Sequence, residues 1–186
     1  MYKQLEIPGL AQETLVVSLA YVMAFGMTHI VLMPVQGMWF PEFSSRASLL
    51  FLPHGVRVLS AWLLGWRSAV ALLPGVIAVF IYVAGAGAFA PSRLAAISVA
   101  VIVPAAVFHV FTKLKLNLSP SIGTTPCWSC VLAAGVVISV LTSLLTNWAF
   151  GSASEDYVAY LIGDVFGLFF LMLFLMLVFR TLSRRG

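Results

Sequence analysis

Six runs of apolar residues, each close to the length of a bilayer crossing, alternate with short polar segments along the chain. The first run, 14–35, holds 22 residues. At about 1.5 Å rise per residue it reaches about 33 Å, enough to cross the hydrocarbon layer. The pattern predicts spans at 14–35, 49–64, 68–89, 92–112, 128–148 and 157–179. The expected fold is all-α: one integral membrane domain over 1–186, a bundle of about six transmembrane helices. The second span is irregular at its start, because Pro53 and Gly55 interrupt it. Proline removes a backbone donor and disfavours helix in the residue before it. A regular helix is therefore expected from near Pro53, with 49–52 extended or packed on neighbours. Pro74 and Pro104 fall inside spans three and four and are expected to kink them.

Composition strengthens this picture. The chain is 62% hydrophobic and 9% charged, against about 45–50% and about 25% in ordinary soluble domains. The spans leave no room for a separate kinase, nucleotide-binding or catalytic domain. The first run is longer than a signal-peptide core and no small-residue cleavage site follows it, so it is expected to be retained.

The net charge of +4 reads as a topology signal, with no nucleic-acid partner implied. Six spans put Lys3, Arg67, Lys113, Lys115, Arg180, Arg184 and Arg185 on one side. Arg46 and Arg93 fall on the other, and Arg57 lies inside a span. The positive-inside rule then places both termini in the cytoplasm of a bacterial-type inner membrane. Trp39, Phe40 and Phe43 suit the headgroup layer, and the Arg184–Arg185 tail suits anionic lipid.

Ionisable groups inside a span are costly, so each one is a candidate for function. Arg57 in span two and Asp164 in span six fall at comparable depth in the outer half. They are expected to pair, with His54 on the Arg57 face of the same helix. Two readings follow: a buried ion pair that staples two helices, or a polar pocket open to the outer face that holds a ligand. Gly163 and Gly167 flank Asp164 as G-D-x-x-G and, with Pro53, Gly55 and Gly65, read as helix-packing positions.

His29 and His109 read as hydrogen-bonded interior residues, and Cys127 and Cys130 as packing thiols. No metal-ligand spacing and no hydrolytic motif is present, so neither a cofactor nor an enzymatic activity is expected. The phenylalanines and methionines of span six read as lipid contact.

Two segments carry a family resemblance. Residues 52–75 read LPHGVRVLSAWLLGWRSAVALLPG, and 161–170 read LIGDVFGLFF. Together they resemble the membrane-associated sensor domain of the first type, the integral-membrane sensory domain often fused to bacterial histidine kinases and diguanylate cyclases. The matching positions are Pro53, Gly55, Gly65, Arg67, Gly163, Asp164 and Gly167. The resemblance implies a non-enzymatic sensor that binds a small ligand and signals to a membrane protein partner. Those domains commonly have about eight spans and an output domain. This chain would be a short, freestanding relative.

A weaker similarity is to the substrate-binding subunits of energy-coupling-factor vitamin transporters, six-span proteins with A-x-x-x-A docking faces like Ala84 and Ala88. It implies a transporter subunit as the alternative function. A structural or assembly subunit of a membrane complex is the third.

Overall fold

Every described element is helical. The computed structural model describes residues 9–39, 48–116, 118, 127–150 and 156–183, and at 156–159, 179, 182 and 183 the backbone alone. Phe40, Phe43, Arg46, the acidic loop at 151–155 and the Arg184–Arg185 tail lie outside these residues.

Helix α1 (Leu10–Gly26) runs through a π-helical segment, Met27–Leu32, into α2 (Met33–Trp39), making one apolar body of 30 residues. It starts four residues earlier than the hydropathy pattern predicts. The reason is electrostatic: Glu13, buried in its first turn, pairs with Arg67 at 3.0 Å. Its far end also outlasts the prediction, because Gln36 uses its side-chain oxygen to accept the Leu49 N–H at 2.8 Å.

Helix α3 (Leu52–Leu64) has Pro53 in its first turn, where a missing N–H costs nothing. It stops at Gly65, whose φ of 56° and ψ of −131° suit only glycine. A Cβ at Gly65 would touch nothing. Gly65 therefore serves the turn into α4 and not helix packing, which corrects the expectation above.

Helix α4 (Arg67–Ala84) continues through a 3-10 turn, Gly85–Phe89. Its Pro74 cannot donate to the ladder. Next to it, Ser18 of α1 donates to the Ala71 carbonyl at 2.8 Å and accepts the Gly75 N–H at 3.1 Å. A hydroxyl inserted there opens the α4 ladder locally. A Cβ on Gly75 would lie 2.9 Å from Ser18 backbone, so glycine permits the contact. The remaining helices are α5 (Pro91–Lys113), α6 (Trp128–Phe150) and α7 (Asp156–Ser183).

Five helical bodies are long and apolar enough to cross a membrane: Leu10–Trp39, Arg67–Phe89, Pro91–Lys113, Trp128–Phe150 and Tyr160–Val178. The exception is α3. Its 13 residues reach about 20 Å. The four residues before it are not helical; the chain bends at Leu49 and Leu50, where Ser48 Oγ bonds both backbone groups of Leu50. Together, 48–64 run from the level of Gln36, which holds Leu49, to the turn before Arg67, which holds Glu13.

Helix α3 is also the axis of the bundle. It touches α1, α4, α5, α6 and α7, which follow one another around it in the order α1, α4, α5, α6, α7. Among the described residues α1 and α7 do not meet. One core, with Val58, Trp62, Phe108, Ile138, Leu168 and Met172, joins α3 to α5, α6 and α7. A second, with Tyr21, Leu72, Val76, Val79, Ile97 and Val101, joins α1, α4 and α5. Large side chains elsewhere on the outside of the ring, such as Leu15, Met23, Tyr82 and Phe174, are exposed, as lipid-facing residues would be.

Candidate functional site

The site begins with a backbone problem. A non-helical entry inside an apolar bundle leaves N–H groups that the bilayer cannot satisfy. From Leu49 to His54 each N–H has a partner. Leu49 N–H goes to Gln36, and Leu50 N–H to Ser48 Oγ at 3.2 Å. Phe51 N–H goes to the Gly163 carbonyl at 2.8 Å, and Leu52 N–H to Thr28 Oγ1 at 3.2 Å. Pro53 has none to satisfy, and His54 N–H returns to the Phe51 carbonyl at 3.2 Å.

Two glycines let this strand of chain lie against α7. A Cβ on Gly163 would run into the Ser48 carbonyl, and one on Gly167 into the Phe51 backbone. A Cβ on Gly55 would lie 3.2 Å from the Leu168 backbone. The G-D-x-x-G motif is therefore a bed for the unwound entry. Thr28 belongs to the π-helical segment, a local widening often found at functional sites.

Because α3 starts late, it fills only part of the ring's axis. A cavity of about 500 Å³ occupies the rest. It is lined by side chains from α1, α4, α5, α6 and α7, and by Ser48, Phe51 and Arg57. Its wall is largely apolar, with Phe25, Val79 and Phe80 prominent.

Arg57 and Asp164 both line this cavity, but they are not the ion pair that their depth suggests. Arg57, 9% exposed, donates through Nη2 to the Tyr21 hydroxyl at 3.1 Å. Its guanidinium carbon lies 5.6 Å from the centre of the Tyr21 ring and 5.5 Å from that of Phe51, within cation–π range. The carboxylate goes to His54 instead. His54 Nδ1 lies 3.3 Å from Asp164 Oδ2, and the Ser139 hydroxyl donates to the same oxygen at 2.7 Å. His54 is fully buried, with Nε2 3.2 Å from the Gly135 carbonyl. The correction has a geometric cause. Residues 54 and 57 are offset by about 60° around α3 and one turn along it; His54 sits against α6 and α7, while the longer Arg57 side chain reaches Tyr21 of α1.

No family model matches this chain, and neither does any curated protein or solved structure.

Several residues of the site go beyond the sequence reading. Tyr21 anchors Arg57, Thr28 anchors the entry, and Ser139 anchors Asp164. Ser139, Thr142, Ser143, Thr146 and Asn147 recur at the spacing of one helix face. The last four line the cavity. That stripe on an otherwise apolar span is a signal the sequence carries.

The other histidines depart from expectation. His29 is exposed, stacked on Phe25 with ring centres 5.3 Å apart, and borders the cavity. His109 is exposed on α5 and meets Trp66 edge-on at 5.8 Å. Neither is an interior residue, because aromatic neighbours rather than core polar groups accompany them. Cys127 and Cys130 also differ: a disulfide joins them at the start of α6. The first helical turn brings their Cα atoms to 5.2 Å, within disulfide range.

Proposed function

We propose that this protein is a non-enzymatic, multi-pass membrane protein that binds a small ligand in the cavity at Arg57 and Asp164 and reports its occupancy to a protein partner. The observation that carries the reading is the cavity itself. An ordinary crossing helix would fill the axis of the bundle. Here the chain unwinds, satisfies the backbone donors from Leu49 to His54 through three side chains and two carbonyls, and leaves a space of about 500 Å³, the size of a small-molecule site. A staple between helices requires none of this.

In this reading 48–64 is a sixth crossing, and both termini lie in the cytoplasm of a bacterial-type inner membrane. The cavity then faces the outer half of the bilayer. Occupancy would act on α3 through Arg57. Because α3 packs on five other helices and ends at the Gly65 turn, a small change in its seating reaches the opposite face. The ligand must bind the two packings with different affinity for any signal to pass.

The test is purification of the tagged protein from its native membrane in mild detergent, with mass spectrometry of what accompanies it. A co-purifying kinase or cyclase supports sensing. A co-purifying ATPase module favours the transporter-subunit function instead. Recovery within a fixed large assembly overturns the ligand-binding reading and leaves the site as a staple.

A further inference from the structure

We infer that the cavity selects an organic monoanion with an apolar body, an ionised carboxylic acid being the simplest case, with its charged head at Arg57. The inference rests on the ligand-binding reading above and names the class of ligand.

The argument is a count of charges and donors. Each ring nitrogen of His54 faces an acceptor, the Gly135 carbonyl on one side and the Asp164 carboxylate on the other. Asp164 Oδ2 lies 3.3 Å from His54 Nδ1, within ion-pair distance, and has no such contact with Arg57 among the described residues. Ser139 adds a neutral hydroxyl. Asp164 is therefore spent on His54.

Arg57 keeps its positive charge. Its described partners are the Tyr21 hydroxyl and two aromatic faces, none of them an anion. Its Nε–H is buried without a hydrogen-bond acceptor. A buried guanidinium with an unused donor is expensive to hold. It is also shaped to grip a carboxylate. Thr142 supplies a second unsatisfied polar atom in the same cavity, its buried Oγ1. The rest of the wall, Phe25, Val79 and Phe80 among it, would receive apolar carbon. A cation with no anionic partner among the described residues, a row of uncharged hydroxyl and amide groups on α6 and an apolar remainder of Phe25, Val79 and Phe80 together describe an amphipathic monoanion.

The experiment measures thermal unfolding of the full chain in lipid nanodiscs against matched probes. Phenylacetate is compared with its neutral amide and with phenethylamine, and oleate is added in the bilayer. The expected result is stabilisation by the anions and none by the amide or amine. Arg57→Gln should weaken anion binding by about tenfold or more. The comparison of charge types uses the unaltered protein, so it stands even if Arg57→Gln does not fold. Stabilisation by phenylacetate points to a ligand arriving from water, and by oleate alone to one arriving from lipid. Equal stabilisation by the amide would overturn the anion while leaving the ligand-binding reading intact. Stabilisation by none of the probes, with the protein folded, overturns both.

Discussion

His54 Nδ1 stands 3.3 Å from Asp164 Oδ2, while Arg57, one turn further along the same helix, hydrogen-bonds to Tyr21. The buried polar groups are thus split between α6 and α7 for His54 and α1 for Arg57. One half is a unit of histidine, carboxylate and serine, with Asp164 at the cavity wall. The other is a cation held by aromatic rings at the edge of a cavity. The two halves behave differently under mutation.

A double-mutant cycle separates them. Equilibrium unfolding in SDS of the single and double alanine variants at His54 and Asp164 should give a coupling of about 1–2 kcal/mol. The cycle between Arg57 and Asp164 should give clearly less. The reverse order of couplings would restore the Arg57–Asp164 pair and contradict the structure.

The glycine bed gives a second test. Gly167→Ala drives a methyl group into the Phe51 backbone, and overpacking of this kind costs about 1–3 kcal/mol. Gly26→Ala meets open space and should be neutral or slightly stabilising, since alanine is the better helix former. The same unfolding assay reads both. Equal tolerance at the two positions would show that the entry does not lie on α7.

The Thr28 hydroxyl is the acceptor for the first α3 donor, the Leu52 N–H. Thr28→Val keeps the shape and leaves that group unsatisfied in an apolar setting, at a cost of about 1–3 kcal/mol. Thr28→Ser retains the hydroxyl and should lose much less. A valine variant as stable as the serine variant would mean that the entry finds its hydrogen bonds elsewhere.

The helical, apolar architecture was legible in the sequence because each long run satisfies its own backbone and displays its hydrophobicity openly. The irregular start of the second span was equally legible, since Pro53 removes a donor and disfavours helix in the residue before it. The identity of the Asp164 partner was not. Both Arg57 and His54 lie within one turn of the right depth, and only the rotation of α3 about its axis decides between them. That rotation is set by packing, by Gly55 against Leu168 and Gly135 against Leu168 and Val58, which hydropathy does not encode. The polar stripe from Ser139 to Asn147 was readable at helical spacing. Its members are uncharged, so a search confined to ionisable groups passes over it.

Orientation is open to direct labelling. A single cysteine at Ser154, in a background carrying Cys127→Ser and Cys130→Ser, should react with an impermeant maleimide in intact cells. Labelling only after lysis would turn the molecule over and place the cavity on the cytoplasmic side.

The central claim is that the space beside Arg57 is a binding site. Native mass spectrometry of the protein released from its own membrane tests it most directly. The account expects the chain to carry one additional small molecule, retained in a Gly26→Ala control and lost in Arg57→Gln. A folded, unaltered protein that carries no added mass would contradict it, and so would an added mass that Arg57→Gln retains in full.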